Sequence, residues 1–375
     1  MNRNGWTYKK LGDVASFING YPFKPEQWKD KGLPIIRIQN LNNPEAPYNY
    51  YDGEVPDKVK IKDGDLLISW SASLGTYLWQ GGDAYLNQHI FKVLFDKLDI
   101  DKMFLKYAVS SKLNEMAALV HGATMKHIVK KDFDNTKIPY PPLRDQRTIV
   151  SELDSLNDSI TMLQQQVKDI DALAQSIFYD MFGDPYTNDK GFNVTRLGDI
   201  CSAQNGLVDP REAPYCDMYH VGPANIVSQT GDIVDLKKAI EENLISGKYL
   251  FDIGMVLYSK IRPNLNKVAK ATFKGICSAD MYPLIPKENI TTEYLYFILR
   301  SNKFLEYAVI NSGRANIPKI NREALFAYET LLPPLSIQQS FEKKIAKLEE
   351  SKASLNVQLS EMRTLLASRM QYWFD

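Results

Sequence analysis

Cysteine is scarce in this chain of 375 residues: Cys201, Cys216 and Cys277 are the three, none in the first half and none at metal-gripping spacings. Such usage fits free thiols in a reducing compartment. No apolar run approaches the roughly 18 residues that a membrane helix needs, and the opening MNRNGWTYKK has no apolar stretch of the signal-peptide kind. A soluble cytoplasmic protein with no membrane partner is expected. Catalytic signatures are missing too: there is no Gly-x-x-x-x-Gly-Lys-Ser/Thr phosphate loop, no Gly-x-Ser-x-Gly elbow, no His-Glu-x-x-His and no paired cysteine ligands. Nor is there an Asn/Asp-Pro-Pro-aromatic segment of the kind that positions an amino group for methyl transfer. Histidine is limited to His89, His121, His127 and His220. His89, in Asn87-Gln88-His89, reads as a core or strand-end residue rather than a base. The chain reads as a binder with no catalytic and no metal site.

Charge of one sign is absent overall, with 45 Lys+Arg against 45 Asp+Glu. That balance argues at first against nucleic acid, whose binding domains usually carry a basic excess. Its distribution is uneven. Residues 1–148 hold 21 Lys+Arg against 17 Asp+Glu, whereas residues 149–191 hold 2 against 8. Phosphates would repel that acidic stretch, so it reads as a solvated or protein-docking face.

In place of these missing features the chain has a repeat. Pro141-Pro142-Leu143 with Gln146 returns as Pro333-Pro334-Leu335 with Gln338, an offset of 192 residues. Leu11-Gly12-Asp13 returns as Leu197-Gly198-Asp199, and Gly64–Ser69 (GDLLIS) as Gly254–Ser259 (GMVLYS). Each copy is too large for a solenoid repeat, so the pattern predicts two like domains. Leu33 to Gln39, Asp65 to Trp70 and His89 to Phe95 read as strands, as do Met218 to Val221, Met255 to Ser259 and Met281 to Ile285. Helices are predicted over Met103 to Leu113 and Glu293 to Phe304.

Each copy runs into a long helix. Ile149, Leu153, Leu156, Ile160, Leu163, Val167, Ile170, Ala174, Ile177 and Met181 alternate spacings of 4 and 3, which is a heptad seam. At the same offset the second copy keeps apolar residues except at Lys352 and Arg369. A lysine there can fix register or run its stem along the seam, and Arg369 is expected where the helix leaves its partner. Ser336 with Gln339 has capping-box spacing. A helix of about 34 residues is roughly 50 Å long, so an antiparallel pair would act as a spacer of about 15 base pairs. A plain dimerisation device is the alternative.

Two constellations carry candidate contacts. After the central strand come Ser69, Ser71 and Ser73 in the first copy, and Ser259, Lys260, Arg262 and Asn264 in the second, with Trp70 and Asn266 beside them. Hydroxyls, amides and cations are the groups that reach phosphates and base edges, and an ordinary solvated loop is the alternative. Before each proline motif stand His121-Gly122-Ala123-Thr124 with Lys126, Lys130 and Lys131, then Ser312-Gly313 with Arg314, Asn316, Lys319 and Arg322. A glycine turn exposing amides next to cations can clamp phosphate. A charged solvated turn is the alternative, and recurrence in both copies favours the clamp.

The doubled order of domain, proline motif and long helix, with GDLLIS and the Gly-Ala-Thr turn before Ile138-Pro139-Tyr140-Pro141-Pro142-Leu143, resembles the specificity subunit of type I restriction-modification systems over essentially the whole chain. The second motif departs from the first, with Thr330-Leu331-Leu332 and Ser336-Ile337 in place of Ile138-Pro139-Tyr140 and Arg144-Asp145. The resemblance implies an α/β fold with two target recognition domains, residues 1–148 and 184–335. They would be related by pseudo-two-fold symmetry and separated by antiparallel coiled-coil helices at 149–183 and 336–375. It also implies that each domain reads one half of a bipartite, asymmetric double-stranded DNA target. The chain itself would bind no cofactor. Two modification subunits would carry S-adenosylmethionine, and restriction subunits would translocate and cleave with ATP and Mg. A related system with a single fused partner, or a coiled-coil scaffold with no DNA role, are the rival readings.

Overall fold

The computed structural model describes residues 5–71, 73–118, 128–313 and 316–375. The chain divides into two compact units: Met1–Leu163 with Gln358–Asp375, and Gln164–Val357. In the first unit one antiparallel sheet runs in the order Ser16–Asn19, Ile90–Leu94, Leu66–Ser69, Gly75–Leu78. A second sheet runs Asn49–Tyr51, Leu33–Ile36, Ala84–Leu86, Lys60–Ile61, in which only Leu33–Ile36 and Ala84–Leu86 are parallel. A ribbon of Thr7–Lys10 with Lys137–Tyr140 completes it. The second unit repeats this plan. Its first sheet is Cys201–Ala203, Met281–Pro286, Val256–Ser259, Val268–Lys270, and its ribbon pairs Asn193–Arg196 with Glu329–Leu332. Its second sheet again has one parallel pair, Tyr219–Val221 with Gly275–Cys277, and gains an edge strand at Leu207–Val208.

The central strand is apolar on both faces because both faces are covered. Leu66 and Ile68 point into a core shared with Phe104, Leu105 and Val109 of the helix Lys102–Ala118, while Leu67 points into a second core with Ile36 and Leu86. Val256 and Tyr258 face one cluster and Leu257 the other in the second unit. Successive strand residues point to opposite sides, so one strand serves two cores. Each fully buried Leu or Ile contributes about 1.5–3 kcal/mol. The glycine opening GDLLIS has φ +84°, and Gly254 has φ +86°, a turn geometry that a side chain would strain. In the Leu-Gly-Asp motif the glycine has a different role. A Cβ on Gly12 would lie 3.0 Å from the Asp134 side chain, and one on Gly198 would lie 3.0 Å from that of Phe326, so glycine lets the two short helices touch.

Two expected elements end early. The strand from Leu33 stops at Ile36, because Arg37 N–H donates to Asn40 Oδ1 (3.1 Å) and starts the short helix Ile38–Asn42. The helix expected over Glu293 to Phe304 is two helices, Thr292–Arg300 and Asn302–Ile310. Ser301 closes the first and caps the second, its side chain accepting from Phe304 N–H.

The proline motif is a joint. Gln146 and Gln338 are fully buried. Gln146 Oε1 accepts from Asp101 N–H (2.8 Å) and its amide donates to Pro141 O (2.8 Å). Gln338 accepts from Thr291 N–H (2.9 Å) and donates to Pro333 O (2.8 Å) and Asn289 O (3.2 Å). The glutamine thus ties the start of each long helix to the start of the domain helix packed beside it. Pro334 O accepts from Ile337 and Gln338 N–H and the helix begins at Leu335, so Ser336 lies inside the first turn and is not a cap.

The long helices run Leu143–Phe182 and Leu335–Phe374. None of the heptad positions read from the sequence is exposed. In the second unit Asp171 meets Lys352 and Phe178 meets Phe341, so the paired segments are antiparallel. Phe178 and Phe182 add an aromatic cluster with Tyr294 and Phe341. The seam exceptions are both paired with acids of the first helix. Lys352 Nζ lies 2.8 and 3.0 Å from the Asp171 carboxylate, and Arg369 forks Glu152, which also accepts from Trp373 Nε1 (3.1 Å). Arg369 therefore does not mark a departure from the partner helix. Trp373 and Phe374 are buried beyond it, against Trp6 and Phe104.

Candidate nucleic-acid interface

The two constellations, far apart in sequence, are joined in space. In the second unit Ile320 N–H donates to Lys260 O (3.0 Å), Arg262 N–H donates to Pro318 O (2.7 Å), and Ile261 bridges Lys319. In the first unit Ile128 N–H donates to Trp70 O (2.9 Å), the equivalent link. The loop after the central strand and the segment before the proline motif thus form one surface in each unit.

In the second unit this surface is cationic. Lys260 Nζ donates to Ala279 O and sits 5.3 Å from the Tyr282 ring, and Arg322 lies 5.8 Å from the same ring. Arg322 also donates to Asn205 Oδ1 (2.6 Å). Burial, followed by repulsion from Lys319, depresses the proton affinity of Lys260. Arg262 is exposed at φ +48° and Asn266 follows at φ +47°, two left-handed residues bracketing the turn Pro263–Leu265. Such conformations are costly for residues with side chains and cluster at functional loops. Asn264, Asn316 and Lys319 are exposed beside them.

Other candidates sit differently. Ser69 and Ser259 are buried and donate to Ser73 O (2.5 Å) and Ile261 O (3.1 Å), so both shape the loop from within. Ser71 is buried and Ser73 exposed. Asn266 is buried and donates to Gln229 Oε1 and Arg300 O. Lys130 and Lys131 are both exposed, and Lys130 is tied to Asp134 at 2.9 and 3.0 Å with its ammonium 5.2 Å from the Phe91 ring. Thr124, Lys126 and Arg314, with His121 and His127, lie outside the described residues. Tyr282 and Asn205 escaped the sequence reading, although aligning the halves places them opposite Phe91 and Asn19.

Part of the acidic excess is consumed internally, by Arg369, by Lys352 and by Tyr107, whose hydroxyl donates to Asp154 (2.5 Å). A groove along the first helix is lined by Val150, Asp154, Asp158 and Met162, the last 63% exposed. Among the described residues no metal-holding cluster and no helix long and apolar enough to cross a membrane is found. All three cysteines are free, and burial pushes the Cys201 and Cys277 thiols up to about 12. His89 stands beside Trp70 at a strand end, 3.1 Å from Gln88.

Residues 3–172 and 189–361 each match the family model described as the type I restriction modification DNA specificity domain. The chain is 23% identical over 366 residues to the type I restriction enzyme EcoDI specificity subunit of Escherichia coli, covering 86% of this chain and 82% of that protein. It is 21% identical over 416 residues to the StySPI specificity subunit of Salmonella potsdam, covering 99% and 89%. Among solved structures, the S subunit of the type I restriction-modification system of M. genitalium shares the fold at TM-score 0.55 and 15% identity, covering 100% of this chain and 98% of that one. A chain from a structural study of type I R-M complex assembly and conformational transition matches at TM-score 0.57 and 17% identity, covering 98% and 97%. With a family domain matched in each half of a chain whose halves share strand order, glycine turns and glutamine joints, this protein belongs to the type I restriction-modification specificity subunits.

Proposed function

We propose that this chain is the sequence-reading, non-catalytic subunit of a DNA adenine methyltransferase and ATP-dependent endonuclease complex, each globular domain reading one half of a bipartite, asymmetric duplex target. The observation that carries the reading is the twofold occurrence of one surface, where the post-strand loop and the pre-motif segment are knitted together and present polar or cationic side chains. In the second half Lys260, Arg262, Asn264, Asn316, Lys319 and Arg322 supply donors to phosphates and base edges. In the first half Lys131 and Ser73 are exposed, and Lys130 is exposed but paired with Asp134. The helix pair sets the gap between half-sites, and the groove beside Met162 docks a modification subunit.

S-adenosylmethionine belongs to the modification subunits, and ATP with Mg to the restriction subunits. Near-neutral charge suits a chain whose partners share in neutralising phosphate. Mapping methylated adenines in DNA from a host that expresses this chain with its modification partner tests the reading. A two-part motif with a fixed gap is the expected result, and methylation without sequence preference refutes it. Removing one heptad from the first helix shifts the gap or abolishes assembly. An unchanged gap at full activity would refute the spacer role.

A further inference from the structure

One framework place recurs in both halves with contrasting chemistry. In the first half Trp70 follows the central strand, stacks on Phe91 at 5.7 Å and donates to Asn19 Oδ1 (3.1 Å). Lys130 comes over the same Phe91 ring and is held by Asp134. In the second half Lys260 takes the place of Trp70, Tyr282 that of Phe91, Asn205 that of Asn19 and Arg322 that of Lys130. Register fixes these equivalences, since Ile68 pairs with Phe91 as Tyr258 pairs with Tyr282. The Gly12 and Gly198 contacts fix one more: Asp134 corresponds to Phe326. The carboxylate that neutralises the cation in the first half is thus a phenyl ring in the second, and an indole has become an ammonium.

We infer that Lys260, Lys319 and Arg322 form a preassembled phosphate grip in the second half, whereas among the described residues at the matching place in the first half Trp70 carries no charge and Lys130 is offset by Asp134, so that the two halves hold duplex DNA with unequal salt dependence. This rests on the DNA reading proposed above. Three cations are brought together by backbone pairing of Lys260 with Ile320 and of Ile261 with Lys319. Among the groups acting on Lys260, Asp280 and the Cys277 thiol oppose Lys319 and Arg322. Gathered like charges cost energy in the free protein, and an oxygen-rich anion relieves it. Duplex phosphates are such anions, and each one neutralised adds about 0.9 to the slope of log affinity against log salt.

The test uses the full chain with its modification partner and a short random-sequence duplex, with affinity measured across a salt series. Lys260→Met with Arg322→Gln lowers the slope by about 2, one phosphate for each cation. Lys130→Met with Asp134→Asn removes one charge of each sign from the first half and leaves the slope unchanged. Asp134→Asn alone frees Lys130 and steepens it by up to about 1. Melting temperatures monitor folding, and the gain of slope in Asp134→Asn cannot come from unfolding. An unchanged slope in the Lys260/Arg322 variant, or equal losses from both halves, overturns the inference while DNA binding stands. Wild-type binding that ignores salt overturns the DNA reading and the inference together.

Discussion

Replacing Gln338 with alanine removes the joint between the second long helix and its domain. The side chain is fully buried, and its loss leaves Thr291 N–H without its acceptor at 2.9 Å. A buried amide stranded in this way costs about 1–3 kcal/mol. Pro333 O and Asn289 O each lose a donor, at 2.8 and 3.2 Å, for about 0.5–1 kcal/mol apiece. The total is about 3 kcal/mol, a large share of the roughly 5–15 kcal/mol by which domains are stable. For a unit of this size it lowers the melting temperature by about 6–12 °C. Hydrogen exchange adds a local readout, because the Thr291 amide, at the N-cap of Thr292–Arg300, exchanges faster than the helix interior. Gln338→Met keeps the volume without the polar atoms, so it retains most of the loss if hydrogen bonding rather than packing is responsible. A loss below about 1 kcal/mol in the alanine variant, with Thr291 exchange unchanged, would refute the joint.

The remaining expectations concern the seam, the C-terminus and acid stability. Asp171→Ala leaves Lys352 with the longer contact to Asp232 (3.9 Å), and Asp171 is 40% exposed, so the cost is about 1 kcal/mol. Lys352→Met with Asp171→Ala recovers it, and a double-mutant cycle with no coupling would show the pair to be idle. Phe374→Ala empties a fully buried site against Phe104 and costs about 3–5 kcal/mol by denaturant melting, whereas a frayed C-terminus would cost almost nothing. Burial lowers the His220 proton affinity below its ordinary 6.5, and the Glu242 carboxylate, 2.6 Å from Nδ1, offsets this only in part. The unfolded chain then binds the proton more tightly than the folded one, so the stability from His220 is full above about pH 6.5 and is lost as pH falls. The advantage of wild type over His220→Gln therefore shrinks on acidification; a gap independent of pH would contradict it.

Periodic and repeated features were legible before any fold was known. A heptad seam follows from spacing alone, because burial of one helix stripe demands apolar residues every three and four positions, and none of those positions is exposed. The duplication was legible because identical turns need identical residues, as at Gly64 and Gly254. Elements bounded by local side-chain competition were not, which is why Asn40 ends a strand early and Ser301 splits a helix. Tertiary structure alone decided the fate of each polar residue. Lys352 and Arg369 looked like flaws in a seam until Asp171 and Glu152 were placed opposite them, and Ser69 and Ser259 looked like surface hydroxyls until they turned inward. A polar side chain carries its chemistry in the sequence, but whether it faces water, a partner or its own loop depends on residues brought near only when the chain folds.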